Sequence, residues 1–201
     1  MKEGYIKFNS HWTKTKQAVE AEVQPLIDYR QKLYDLGFIG TYPDGVGFGN
    51  ISMRSSNNRK QFIISGSKTG SEKVLTNLHF ALVEEVNLKN NSIQCSGPVV
   101  ASSESMSHAA IYQSLPWVNA VIHGHDLDLW KKLLHRIPTT PIEAEYGTPE
   151  MAKAIKNLIN SGIAAQTQFF VMEGHEEGLF AFGRTIMEAY GVLARLSATT
   201  L

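Results

Sequence analysis

Cysteine is nearly missing from this chain: Cys95 is the only one in 201 residues. A single thiol cannot close an internal disulfide, and it cannot supply the cysteine-rich set of a structural zinc site, so any metal would be left to nitrogen and oxygen ligands. An excess of either charge is missing too. Lysine plus arginine number 19 and aspartate plus glutamate 19, for a formal net charge of zero. The basic surplus that marks a nucleic-acid or anionic-membrane partner is therefore absent. Lys2, Lys7, Lys14 and Lys16 are spaced out and read as a solvated face. No apolar run approaches the length of a membrane span, and Met1-Lys2-Glu3-Gly4-Tyr5 lacks the apolar stretch of a signal peptide. Internal repeats and low-complexity stretches are missing as well. These absences point to a cytoplasmic protein with no nucleic-acid and no membrane partner, whose low net charge leaves self-association open.

What the chain does have is material for a core. At 43% hydrophobic residues it is long enough for one sizeable core and short for two. A single domain over residues 1–201 is expected, with residues 1–24 as a polar, weakly patterned N-terminal extension. Pro25 suits a first helical turn, Leu26, Ile27, Leu33 and Leu36 supply apolar positions, and Gly37 ends the helix. Residues 41–50, with Pro43, Asp44, Gly45, Gly47 and Gly49, read as a loop whose backbone can approach a ligand or simply connect two elements. Residues 51–54 and 61–65 read as strands around a Ser-Ser-Asn-Asn turn, and residues 81–88 and 92–95 as strands around Asn90-Asn91.

Ser102 or Ser103 can cap a helix that carries His108, Ile111, Tyr112 and Leu115 on one stripe. That stripe puts His108 in the core and Glu104 in the first turn. Further helices are predicted near residues 127–134 and 151–159, and strands at 169–172 and 179–182. Thr185-x-x-Glu188 matches a capping box before a last helix through Leu196. Short strands joined by tight turns and mixed with helices predict an α/β sandwich whose sheet is at least partly antiparallel.

The chemistry concentrates beyond residue 100. An apolar run, Val118-Asn119-Ala120-Val121-Ile122, delivers His123 and His125 across a single glycine. Residues two apart share a strand face, so both imidazoles can meet one ion at a strand end, although a pair of half-buried histidines without a ligand has the same pattern. Ser102-Ser103-Glu104 adds a carboxylate upstream, equally readable as a helix-start charge or a catalytic group. Gly174-His175-Glu176-Glu177-Gly178 adds a third imidazole. Nitrogen and oxygen ligands with an open position suit a catalytic metal, and imidazoles must be neutral to bind it, so activity should fall as pH drops towards about 6. Ser65-Gly66-Ser67-Lys68-Thr69-Gly70 has the composition of an anion cradle without being a Walker A motif.

Taken in order, Gly49-Asn50-Ile51-Ser52, Ser65-Gly66 with Thr69-Gly70, Ser102-Ser103-Glu104, His123-Gly124-His125 and His175 resemble the class II aldolase/adducin family over residues 25–196. The resemblance implies an α/β/α sandwich with a central, largely antiparallel mixed sheet. It implies a zinc-dependent aldolase that cleaves a small ketose, in the first instance a sugar phosphate, through a metal-stabilised enediolate. By motif, His123, His125 and His175 become the zinc ligands, Glu104 the acid/base residue, and Asn50, Thr69, Gly70, Ser102 and Ser103 the phosphate pocket. The same ligands accept other divalent metals. A homotetramer with sites between subunits is implied as well.

Two alternatives come with the same resemblance. One is a sugar phosphate epimerase, although such relatives more often carry aspartate where Glu104 stands. The other is a non-catalytic association module like the adducin head, against which the retained histidines and Glu104 weigh. This chain also departs from the pattern. Glu176 and Glu177 intervene before Gly178, and either carboxylate is a candidate added ligand. Only 50 positions separate His175 from His125, which is short for the family. The sequence stops at Leu201, without the tail that brings a tyrosine proton donor in some aldolases. Tyr146 is the nearest tyrosine in the shortened segment and reads first as a loop aromatic.

Overall fold

A computed structural model describes residues 5–16 and 23–198. In chain order the elements are β1 (Asn9–Lys14), α1 (Gln24–Asp35), β2 (Gly40–Thr41), β3 (Gly47–Phe48), β4 (Asn50–Arg54), β5 (Phe62–Ser65), β6 (Phe80–Asn87), β7 (Ser92–Gly97) and α2 (Ser105–Ser114). They continue with β8 (Ala120–His125), α3 (Leu127–Leu133), β9 (Thr139–Thr140), α4 (Pro149–Asn160), α5 (Ile163–Thr167), β10 (Phe169–Met172), β11 (Gly178–Gly183) and α6 (Ile186–Ala198). Among the described residues nine strands form one sheet in the order β1-β7-β6-β5-β4-β8-β11-β10-β9, and β2 pairs with β3 as a separate hairpin. Only the outermost pairs, β1 with β7 and β9 with β10, are parallel, so the sheet is mixed and largely antiparallel as expected.

Period-two alternation sets the layers. Phe62, Ile64, Val121, Phe170 and Phe180 share a cluster with Met106 and Ile111 of α2 and with Met151, Ile155 and Ile159 of α4. Their sequence neighbours Ile63, Ile122, Val171, Leu179 and Ala181 join Leu26 and Leu33 of α1 and Ala189, Val192 and Leu193 of α6 in a second cluster. A sheet buried on both faces needs this near-continuous apolar character. Burying each such large side chain contributes about 1.5–3 kcal/mol, so a one-residue slip of β8 is strongly opposed. That register fixes where His123 and His125 point: they continue the Val121 face, towards α2.

Local signals mostly behaved as their chemistry dictates. Gly37, at φ +82°, ends α1 in a Schellman turn, with its own N–H donating to Tyr34 O and that of Phe38 to Leu33 O. Asn91 takes the left-handed turn position between β6 and β7. The segment 41–50 differs from a plain loop, because its ends pair as the β2–β3 hairpin. The N-terminal extension differs as well: residues 9–14 add edge strand β1, which pairs with β7 through its backbone while most of its side chains are exposed. Such a strand has no buried face and so no alternation to read.

Helix α2 starts later than the serines suggested. Glu104 is its N-cap residue, and the Ser102 hydroxyl accepts the Glu104 N–H at 3.2 Å in the turn before it. At α6 the Thr185 hydroxyl and the Glu188 carboxylate both serve backbone N–H groups at the helix start. Thr185 Oγ1 accepts the Glu188 N–H at 3.1 Å, and the Glu188 carboxylate reaches back to the N–H of Arg184 at 2.8 Å.

Candidate metal centre

The end of β8 and the starts of β4 and β11 meet at one end of the sheet, where Asn50 lies opposite His123 and Gly178 opposite His125. The glycine between the two histidines packs on Phe38, whose Cβ would lie 3.2 Å from an added Cβ. His175 comes from the β10–β11 connection. A Cβ on Gly174 would fall 2.1 Å from Ala144 O, so glycine is what lets this turn press against the 142–144 segment and bring His175 inward. His123, His125 and His175 are all buried, and one ring nitrogen from each lies within 4.8 Å of the others.

Hydrogen bonds set the tautomers of two of these rings. His123 Nδ1 is 3.1 Å from Leu179 O, and a carbonyl can only accept, so Nδ1 carries the proton and Nε2 presents a lone pair. His125 Nδ1 is 2.8 Å from the Tyr42 hydroxyl, whose own proton goes to Glu177 Oε2 at 2.6 Å, so His125 is also protonated at Nδ1. The two unprotonated Nε2 atoms then face each other at 3.1 Å. Opposed lone pairs repel, and a cation between or beside them removes the repulsion. Burial pushes the pKa of His123 well below the usual imidazole value, with the other two imidazoles acting in the same direction against Glu104, so it stays in the neutral form that ligates. The donor set therefore fits a divalent metal ion.

Glu104 is 2% exposed, and its Oε1 lies 3.4 Å from His175 Nδ1, within ion-pair range. Neither carboxylate oxygen receives a well-formed hydrogen bond. Burial acts to raise its pKa, but the His175 contact, the nearby imidazoles of His123 and His175 and the Ser107 hydroxyl outweigh burial and hold the carboxyl at about 2. The result is a buried, ionised carboxylate with spare acceptor capacity at the imidazole cluster.

Beside it stands the glycine-rich loop. Gly66 bridges to Ala101 and the Ser67 N–H donates to Val100 O, which joins this loop to the segment leading into Ser102, Ser103 and Glu104. A Cβ on Gly70 would meet Gly40 O at 2.7 Å and Phe48 N at 2.8 Å, so the loop lies flat against the β2–β3 hairpin. Asn50, Thr69, Ser102 and Ser103 are all buried. The Asn50 side-chain oxygen has no hydrogen-bond partner, whereas the Thr69 hydroxyl is already donated to Gly66 O at 2.8 Å.

Residues 26–199 match the profile of the Class II Aldolase and Adducin N-terminal domain. The chain belongs to the class II aldolase and adducin family. Solved structures agree on the fold. An L-fuculose 1-phosphate aldolase is 18% identical at a TM-score of 0.68, covering 92% of this chain and 85% of that one. The L-fuculose-1-phosphate aldolase of Thermus thermophilus is 21% identical at a TM-score of 0.61, covering 87% and 88%. YgbL of Klebsiella pneumoniae, described as a putative aldolase/epimerase/decarboxylase, is 19% identical at 0.64, covering 90% and 88%. No curated protein matches the chain. Class II aldolases are metal-dependent, and the buried histidine triad can hold a metal ion.

Several residues of this class II aldolase-family chain escaped the motif reading. Arg30, 1% exposed, donates to the carbonyls of Thr69, Gly70 and Lys73 at 3.0–3.1 Å and anchors the glycine-rich loop from behind. Its signal was a charged residue on the apolar stripe Leu26, Arg30, Leu33. Tyr42 bonds His125 from within the hairpin, and Glu177 acts through Tyr42, 3.7 Å from His125 Nδ1, so it lies outside the three-histidine ligand group. Tyr146 is more than a loop aromatic: it is 1% exposed and stacks on His175 at 4.7 Å, with Lys7 Nζ 3.8 Å above its ring. His108 is the core histidine expected, with its Nδ1 2.7 Å from Ser52 Oγ.

Proposed function

We propose that this protein is a zinc-dependent aldolase, a carbon–carbon lyase making a retro-aldol cleavage of a small ketose, with sugar phosphates as the substrate class. The observation that carries the reading is the meeting of three buried imidazoles, with ligand atoms within 4.8 Å of one another, and a buried carboxylate 3.4 Å from one of them. His123, His125 and His175 would hold the metal. Bound there, a divalent ion supplies Lewis acidity towards a substrate carbonyl and stabilises the negative charge that develops as the bond breaks.

Glu104 is the proton carrier. Ionised at the start, it takes the proton of the reacting hydroxyl and returns it to the carbon freed by cleavage, so one carboxylate closes the proton balance. Asn50, Gly70, Ser102 and Ser103 bind the phosphate through the serine hydroxyls, the Asn50 amide and loop N–H groups, and Thr69 shapes that loop from within, its hydroxyl donated to Gly66 O. Arg30 supports them by holding the carbonyls of Thr69 and Gly70 on its own side of the loop. The same reading takes the chain as one domain that works in the cytoplasm as a homotetramer.

The test joins elemental analysis to a retro-aldol screen of ketose phosphates and their dephosphorylated forms, with released aldehyde read by a coupled dehydrogenase. Cleavage that disappears with chelator and returns with zinc is the expected result. Bound zinc together with substrate epimerised but never cleaved would transfer the site to an epimerase that breaks and remakes the same bond. No metal and no turnover would leave the adducin-like association module.

A further inference from the structure

The two strand histidines are fixed by different kinds of partner. His123 gives its Nδ1 proton to a backbone carbonyl, Leu179 O, which no substitution can remove. His125 gives its proton to a side chain, Tyr42, at 2.8 Å, and Tyr42 passes its own to Glu177 at 2.6 Å. Glu177 itself stands 3.7 Å from His125 Nδ1, beyond hydrogen-bond reach, so the tyrosine is an obligatory middle member. Three further features hold the arrangement. Tyr42 sits at the mouth of the β2–β3 hairpin, where its N–H donates to Val46 O at 2.9 Å. Phe48 of the same hairpin packs on Tyr42 at 4.6 Å and stacks on the His125 ring at 5.3 Å. Glu177 adopts φ +67°, a conformation that favours glycine, so a glutamate stands there against local backbone preference.

We infer that Tyr42 and Glu177 are positioning residues: a His125–Tyr42–Glu177 hydrogen-bond relay fixes the tautomer and ring orientation of His125 so that Nε2 faces the metal. The inference rests on the metal centre proposed above. The relay adds no ligand. It raises the basicity of one, because a carboxylate at the far end of the chain polarises Tyr42 and, through it, the Nδ1–H bond. It also makes the β2–β3 hairpin part of the metal centre, since Phe48 and Tyr42 cover two sides of the same imidazole.

The test compares zinc dissociation constants of the full chain, by chelator competition, with melting temperatures of the metal-free protein. Tyr42→Phe and Glu177→Gln should each weaken zinc by about 10–100-fold, and the double variant should be no weaker than the poorer single one, because the two act in series. Glu177→Gly separates positioning from structure: the metal-free protein should melt at the same temperature or higher, since glycine suits φ +67°, while zinc binding still falls. Tight zinc binding by the wild type with all variants unchanged overturns the relay alone. Parallel losses of affinity and metal-free melting temperature in every variant, Glu177→Gly included, make the role structural and also overturn it. A wild-type chain that binds no zinc overturns the metal centre and the relay together.

Discussion

The imidazole cluster and the glycine-rich loop beside it are both built from buried polar groups, yet they are held in opposite ways. In the cluster the outer nitrogens are secured and the inner ones carry no proton: His123 and His125 are anchored at Nδ1 while their Nε2 atoms face each other. In the loop the backbone carbonyls are secured by Arg30, and glycine contacts, Gly70 against Gly40 and Phe48, hold the chain flat. A cluster of the first kind loses little stability when a supporting group is removed, because its inward lone pairs repel one another until a cation arrives. A loop of the second kind depends on one guanidinium for three carbonyls. Metal affinity and fold stability should therefore respond to different residues.

The largest effects should fall on the cluster. His123→Ala or His125→Ala should empty the purified protein of metal by elemental analysis, and full occupancy in both variants would refute the ligand assignment. Glu104→Gln should retain metal while steady-state turnover falls by about 10²–10⁴-fold, the range of a lost acid/base group. Unchanged turnover would make Glu104 structural. Next comes Arg30→Met, expected to cost about 3–5 kcal/mol in urea unfolding, because it strands buried carbonyls, with zinc affinity held within roughly threefold. A variant that lost zinc as readily as stability would erase the distinction between the two regions.

His108 serves as a control, a buried imidazole outside the ligand group. Burial depresses its pKa from 6.5 to about 3. Between those values the unfolded chain binds a proton that the folded chain does not, so stability declines as pH falls across that window and levels off below it. The slope should be about 1.4 kcal/mol per pH unit for this group. Metal-free His108→Gln should lose that component when urea unfolding is followed from pH 6.5 to 4. The smallest effect belongs to the serine segment beside the loop. Ser103→Ala should weaken phosphorylated ligands by about tenfold, the worth of one hydrogen bond to a charged group, and leave dephosphorylated counterparts nearly unchanged; equal losses would remove the phosphate pocket.

Much of this was legible in the sequence, and what was not has physical reasons. Short, near-continuous apolar runs bounded by turn residues announced β4, β5, β8, β10 and β11, and His123-Gly124-His125 declared a shared face because period two is a property of any strand. His175 could be named only by motif, since its approach depends on Gly174 packing so tightly that an added Cβ would fall 2.1 Å from a carbonyl of a distant segment. Strand β1 left no pattern because it buries almost nothing. Tyr42 and Glu177 lie 135 positions apart, and nothing local couples a tyrosine in a glycine-rich hairpin to an acid beyond the third histidine. Arg30 left the faintest usable trace, a charge on an apolar stripe, and a buried arginine makes sense only once the carbonyls it serves are in place.

His123, His125 and His175 should act as one metal-binding centre. Anomalous diffraction from zinc-loaded crystals, collected above and below the zinc absorption edge, tests it most directly. A single strong peak per chain in contact with all three imidazoles is expected, lost in His125→Ala. A peak elsewhere on the chain, or no peak in zinc-saturated crystals, would contradict it.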